Sequence, residues 1–210
     1  MSTQGKRLIQ QIDEGFQMAV TDYAVRQILL HAIEIFSRKG YAGAKIKDIA
    51  ASAGFSQGYI YNYFKSKDDI FVKIVELAAD GAANSVASAS RLEGTALQKM
   101  TWLTEALLSA ESLAMQHWRL IQLQSLTTES LPEEAKRIAL ERKAEPVRLL
   151  IPLIEQGQRE GEIREDDPLM LAITYFSIVQ GLGISRAQAS AGLPFPSAEV
   201  VLRFMTKQQA

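Results

Sequence analysis

Within residues 46–65, Ala50, Gly54 and Ile60 stand four and then six residues apart. Few backbone arrangements use that spacing. Two short helices that cross steeply need a small residue where they touch, and Ala50 supplies it. The turn between them needs a residue with positive φ, and Gly54 supplies it, because glycine lacks the Cβ that makes that region costly. Ile49, Ala53, Phe55 and Ile60 fall where a miniature core needs inward side chains. Ser56 is placed to cap the second helix, leaving its N-terminus free to approach a phosphate. A plain helical hairpin has no need of a small residue and a glycine at this interval. The stretch therefore predicts a helix-turn-helix over about 46–53 and 57–63.

The flanking sequence agrees. Ile28, Leu29, Ala32, Ile33, Ile35 and Phe36 repeat at helical spacing, and Gly40 stops that helix just after Arg38 and Lys39. Cations suit the negative end of a helix dipole. The chain as a whole carries a net charge of −1, which says little, but its distribution says more. Residues 21–67 hold seven Lys/Arg against three Asp/Glu, whereas residues 68–210 hold fourteen against nineteen. A basic segment on an acidic body fits one part facing nucleic acid and another that does not.

Downstream, nearly everything reads helical. One long helix is predicted from Lys67 through the Ala/Ser-rich stretch to Ser90, with a break at Glu93-Gly94 and helices at about 95–110 and 113–127. Ser130 to Glu133 has the pattern of a capping box opening another helix. Pro146 and Pro152 should kink or split that helix, and Gly157 and Gly161 close it. Asp167-Pro168 pairs an N-cap acid with a proline at the first helical position, starting a helix that runs to about residue 189. A loop over 191–196 and a final helix over 197–207 complete the layout. Leu8, Ile9, Ile12 and Phe16 form one face of a short extra helix, or belong to an N-terminal arm. The fold class expected is all-α. Residues 1–20 form the arm or extra helix, 21–66 a three-helix DNA-binding domain, and 67–210 a helical ligand-binding and dimerisation domain.

Residues 22–72 resemble the N-terminal domain of the tetracycline-repressor (TetR) family. The resemblance is carried by 32–41 (Ala-Ile-Glu-Ile-Phe-Ser-Arg-Lys-Gly-Tyr), by Asp48-Ile49-Ala50, by Ala53-Gly54, and above all by 58–67 (Gly-Tyr-Ile-Tyr-Asn-Tyr-Phe-Lys-Ser-Lys). It implies a transcriptional regulator acting as a homodimer. Its two recognition helices would enter major grooves of a near-palindromic double-stranded DNA operator. Carried over by position, Ser56, Gln57, Gly58, Tyr59 and Asn62 face DNA. Gln57 is the best base reader, since its amide can pair bidentately with adenine. Gly58 lets the backbone approach closely. Tyr61, Tyr63 and Lys67 match positions that hold phosphates. The competing role for Tyr59 and Tyr61 is core packing, and for Asn62 plain solvation. One departure stands out: the family often has Ser or Thr around positions 44 and 45, where this chain has Ala44 and Lys45. Lys45 offers a salt-dependent phosphate contact in place of the hydroxyl.

In the family the later helices build a ligand pocket and a four-helix dimer interface. Trp102, Met115, His117, Trp118, Ile121, Gln122 and Tyr175 are the candidate ligand contacts, with Met100, Leu103 and Leu120 nearby. Their apolar bulk suits a small, mainly hydrophobic effector, although any helical core has the same composition. Leu171, Phe176, Val179 and Gly183, with Val200, Val201, Phe204 and Met205, are the candidate dimer contacts. The expected function is repression relieved by that effector. The alternative is a DNA- or partner-binding helical protein without one.

Other classes find little support. No cysteine is present and the histidines are His31 and His117, so a thiolate or His-rich metal site, a disulfide scaffold and a cysteine nucleophile are excluded. No cofactor or metal is expected. Glu133-Glu134 and Glu165-Asp166-Asp167 read as surface patterns. Gly181 and Gly183 lie within a helix and follow no strand, so they make no nucleotide fingerprint, and no enzyme is expected. The first residues show no signal peptide, which points to the cytoplasm. Residues 168–185 carry no charge, and they read better as a buried interface helix than as a membrane span.

Overall fold

The computed structural model describes residues 2–18, 20, 22–109, 131–188 and 195–207; of residues 12, 15–18 and 186–188 it describes the backbone only. Ten helices occupy these residues: α1 (Thr3–Met18), α2 (Tyr23–Gly43), α3 (Ile46–Ala53), α4 (Gln57–Tyr61), α5 (Lys67–Ser90), α6 (Ala96–Leu107), α7 (Glu133–Arg142), α8 (Glu145–Arg159), α9 (Pro168–Gln188) and α10 (Ala198–Leu202). The chain is all-α: among the described residues the one piece of β pairing is an isolated antiparallel bridge between Ile163 and Thr206.

Local chemistry sets the ends of these helices. Asp22 caps α2 by accepting from the Ala24 and Val25 N–H groups at 2.8 and 3.1 Å. Within α2 the chain leaves helical geometry at Gly40 (φ 67°, ψ 167°), so the helix breaks where the glycine was expected to stop it. Ser66 caps α5 through the Asp69 N–H, and Thr95 and Gln98 form a reciprocal capping box on α6. Asp167 accepts from the Leu169 N–H at 2.8 Å and opens α9.

Two expectations need correction. The helix at 133 has Pro132, not Ser130, at its cap position, and Ser130 lies outside the described residues. Proline suits that place because it has no N–H to leave unpaired. The predicted split falls between Arg142 and Glu145, with Pro146 in the first turn of α8, while Pro152 is carried inside α8. The last helix is also shorter than expected. It ends at Leu202, and the chain then turns so that the Arg164 N–H donates to the Met205 carbonyl and the Lys207 N–H to the Glu162 carbonyl. Those bonds tie the C-terminal segment to the loop after α8. The helix expected over 113–127 lies outside the described residues.

Packing divides between two cores. The first gathers Ile28, Leu29, Phe36, Tyr41, Ile49, Ile60 and Phe64 around Ile70, Phe71 and Ile74, and it takes Leu131, Ala135 and Ile138 from the α7 region. The second gathers Leu8 and Ile9 of α1 with Val86, Met100, Leu103, Leu150, Ile154, Leu171, Tyr175, Val201 and Met205. The extra N-terminal helix therefore exists and docks on the second core; the side chains of Ile12 and Phe16 are outside the described set. Helix α5 belongs to both cores. Its buried Ala78, Ala79, Ala82, Ala83 and Ala89 keep it slim enough for helices to close in from several sides. Hydrophobic packing thus runs across residue 66, since Ile70 to Ala78 complete the core beneath α3 and α4.

Candidate nucleic-acid interface

The unit formed by α3 and α4 follows from its turn. Gly54 adopts φ 70° and caps α3 with an N–H donated to the Ala50 carbonyl, and the Phe55 N–H donates to the same carbonyl at 2.9 Å. Ile49, Ala50 and Ile60 are buried beneath it, while Ala53 and Phe55 are half-buried. Helix α4 spans five residues and continues in helical turns, with the Asn62 N–H on the Tyr59 carbonyl and the Phe64 N–H on the Ile60 carbonyl. Ser56 accepts from the Tyr59 N–H at 3.1 Å, the cap the sequence predicts.

Lys45, Ser56, Gln57, Gly58 and Asn62 are exposed on this unit. Tyr59 and Tyr61 are 39% and 52% exposed, so neither is a core residue. Tyr59 leans on Phe55 with ring centroids 4.8 Å apart and meets Tyr63 edge-on at 5.4 Å. The Tyr59 and Tyr63 hydroxyls lie 3.2 Å apart. That hydrogen bond, above all, pushes the Tyr63 phenol up to about 12. A protonated phenol can donate to a phosphate oxygen, so the pair suits an anionic backbone chemically. A Cβ added at Gly58 would come no nearer than 3.9 Å to its neighbours, so the fold itself leaves that position open.

Lys67 sits differently from the role the resemblance implies. Its ammonium turns inward, donating to the Tyr41 carbonyl at 2.7 Å and lying 4.1 Å over the Tyr41 ring. The Tyr41 hydroxyl donates to the Asp68 carboxylate, and burial together with that carboxylate pushes the Tyr41 phenol well up. Lys67, Tyr41 and Asp68 form a clasp between the end of α2 and the start of α5. Two further ties hold α3 in place. His31 Nδ1 and Ser52 Oγ are 2.9 Å apart, and Lys39 Nζ lies 3.0 Å from Asp48. Sequence reasoning missed these ties because their partners stand on different helices, nine or more residues apart, and share no local pattern. It also missed Tyr23, an exposed aromatic on the first turn of α2.

In the second region, Met100, Leu103 and Tyr175 are fully buried together and Trp102 packs beside them. Tyr175 Oη lies 3.0 Å from Thr104 Oγ1, which itself donates to the Met100 carbonyl at 2.7 Å. Met115, His117, Trp118, Leu120, Ile121 and Gln122 lie outside the described residues. Of the candidate dimer contacts, Leu171, Val179, Gly183, Val201 and Met205 are buried within their own protomer, Phe176 and Phe204 are half-buried, and Val200 is exposed. The outward apolar face of α9 consists instead of Leu169, Met170 and Ile173, continued by exposed Ser177 and Gly181. The uncharged sequence of 168–185 hid which face was which, because both are apolar. This helix is long and apolar enough by length and composition to cross a membrane, and 28% of that stretch is buried in the protomer.

Comparison with known proteins places these features. The family described as "Bacterial regulatory proteins, tetR family" matches residues 28–74. The HTH-type transcriptional regulator YfiR of Bacillus subtilis is 28% identical over 160 residues, covering 71% of this chain and 73% of its own. The HTH-type transcriptional repressor NicS of Pseudomonas putida is 28% identical over 156 residues, covering 72% and 71%. Among solved structures, a transcriptional regulator from Saccharomonospora viridis in complex with choline superposes with a TM-score of 0.72 at 23% identity, over 88% of this chain and 98% of its own, a likeness of fold.

Proposed function

The chain belongs to the TetR family of transcriptional regulators, and on that premise we propose that it is a cytoplasmic homodimeric repressor, released from a near-palindromic operator by a small, mainly hydrophobic effector. Helix α5 carries this reading. One unbroken helix has its first half in the core under α3 and α4 and its second half in the larger core, so a rearrangement in the second cannot leave the first unmoved. A functional division near residue 66, with 67–210 as the sensing and dimerising part, accords with it.

Gln57 reads bases. Ser56, Gly58, Tyr59 and Asn62 line the groove, and Lys45, Tyr61 and Tyr63 hold phosphates. Lys67 acts as a positioning residue through its clasp. Trp102 and Tyr175 border the effector site, together with Met115, His117, Trp118, Ile121 and Gln122. The second copy docks on the Met170, Ile173 and Gly181 face of α9 and on Val200. A Cβ at Gly181 meets nothing within 4 Å, which leaves room for close approach. The repressor named NicS and the S. viridis regulator crystallised with choline support repression and a small ligand by likeness.

The test is binding of the purified protein to labelled duplexes from its own upstream region, against scrambled competitor and across a salt series. Gln57→Ala should lose roughly 1–3 kcal/mol of discrimination at the base it reads. Lys45→Ala should flatten the salt slope by about one unit without changing sequence preference. Specific binding that no small molecule in a broad screen relieves would favour a regulator without an effector. Failure to enrich any fragment from a genomic library would overturn the DNA-binding reading.

A further inference from the structure

Helix α1 is fixed to the larger region at both its start and its middle. The Ser2 N–H and hydroxyl donate to the Glu105 carboxylate of α6, the backbone N–H at 3.1 and 3.2 Å and the hydroxyl at 2.5 Å. A Cβ at Gly5 would lie 2.1 Å from that same carboxylate, so the helix backbone runs directly against α6. One turn on, Leu8 is fully buried and Ile9 nearly so, among residues of α5 and α6. Residues 19–22 then join α1 to α2, the first helix of the DNA-facing unit. Their far end is anchored as firmly. Val20 is buried in the first core, its carbonyl accepts from Arg26 Nη2 at 2.9 Å and Nε at 3.3 Å, and Asp22 caps α2.

Besides the packing of α7 against its core, the DNA-facing unit is joined to the larger region by two chain connections, α5 at its exit and the α1–α2 connection at its entry. A body held by one helix can swing about it; a body held at two separated points cannot, unless both move. We propose that α1 is a strap that fixes the orientation of the α2–α4 unit and couples it to α6 and the second half of α5 by a route separate from the α4–α5 junction. This deepens the regulator reading and rests on it. Glu105 and Leu8 are then positioning residues, and a displacement of α6 reaches α2 through four residues of chain.

The chain has no cysteine, so a label pair can be placed cleanly. Ala51→Cys on α3 and Arg159→Cys on α8 are both exposed and lie outside the proposed DNA contacts. With nitroxides on both, and labelled chains diluted into unlabelled ones, pulsed dipolar spectroscopy reads the distance between the two regions without DNA or effector. Inserting Gly-Ser-Gly-Ser between Met18 and Ala19 slackens the strap while leaving α1 free to dock. Hydrogen exchange over residues 6–14 reports that docking. The strap predicts an approximately twofold broader distance distribution in the slackened chain, with α1 still protected. An unchanged width would overturn it, leaving orientation to α5 and the packing of α7. Broadening that appears only with loss of α1 protection, as in Leu8→Ala, would also overturn it by giving α1 a packing role. Failure of the DNA-binding reading shows separately, in the duplex assay.

Discussion

The two cores are held by different kinds of force. The smaller one is rich in directional contacts. Phe36, Tyr41 and Phe71 meet with ring centroids 4.9 to 5.9 Å apart, and the Lys67–Tyr41–Asp68 clasp, the His31–Ser52 bond and the Lys39–Asp48 pair tie its helices together. In the larger core the buried side chains are mostly aliphatic. Among the described residues its fully buried side-chain hydrogen bonding between helices centres on Thr104 and Tyr175. Hydrophobic burial has no preferred direction, so aliphatic surfaces slide past one another at little cost, whereas ring stacks and hydrogen bonds fix one arrangement. On the proposed function, a unit presenting Gln57 and three tyrosines to a rigid duplex needs the second kind, and a region accepting a ligand is better served by the first.

The largest effects come from opening each core in turn. Phe71→Ala removes a ring packed against both Phe36 and Tyr41 and should cost about 3–5 kcal/mol; Leu150→Ala, fully buried in the larger core, should cost about 2–5 kcal/mol. Urea unfolding followed by both circular dichroism and tryptophan fluorescence decides what the cores share. If α5 makes them one cooperative unit, each variant shifts a single common transition. Two transitions, with each variant moving its own, would break the coupling that α5 is held to provide.

Smaller and sharper is the pair Tyr41→Phe and Tyr175→Phe. Each removes one hydroxyl with little change of shape, and each should cost about 0.5–1.5 kcal/mol of stability. Their effects on DNA should differ. Tyr41→Phe loosens the clasp between α2 and α5 and should weaken operator binding severalfold, whereas Tyr175→Phe should leave the unliganded affinity unchanged. Equal effects on affinity would mean that the directional contacts of the smaller core have no special bearing on the DNA face.

How far the sequence could be read depended on the range of the interactions involved. Gly54, Ala50 and Ser56 act within a few residues, and their roles as turn, contact and cap stood in the spacing alone. Gly40 and Asp167 announced helix ends for the same reason. The run 58–67 carried the family resemblance, and Gly58, Tyr59, Tyr61, Asn62 and Tyr63 are exposed. The inward contact of Lys67 was not legible because its partner, the Tyr41 carbonyl, is 26 residues away. Which face of α9 turns outward was not legible, because period alone cannot orient a helix that is apolar all round. The C-terminal hook could not be foreseen, since its bonds go to Glu162 and Arg164, some forty residues upstream.

The smallest effect separates the two regions by the partner of one carboxylate in each. The Lys39 ammonium, as the leading cause, holds the Asp48 carboxyl below the usual carboxylate range. Glu160 is held low chiefly by the Ala96 N–H, which it accepts at 2.8 Å. Both shifts are downward, so both groups bind protons less readily folded than unfolded. Each contributes stability that is present above the ordinary carboxylate pKa and lost as pH falls through the lower, folded value. Both side chains are near solvent, so the contributions are small, but their salt dependence should differ. An ion pair between partly exposed groups is screened by added salt, while a hydrogen bond from a helix N-terminus is less so. Carboxyl titrations by NMR in low salt and in about 1 M salt, where the screening length falls to about 3 Å, should show Asp48 moving up towards its ordinary value more than Glu160. Lys39→Met should raise Asp48 in low salt and reduce its salt response, with Lys47 accounting for what remains. Equal movement of the two carboxyls would mean that the ties of the smaller unit are no more electrostatic than the cap on α6, and the contrast between the regions would then rest on aromatic packing alone.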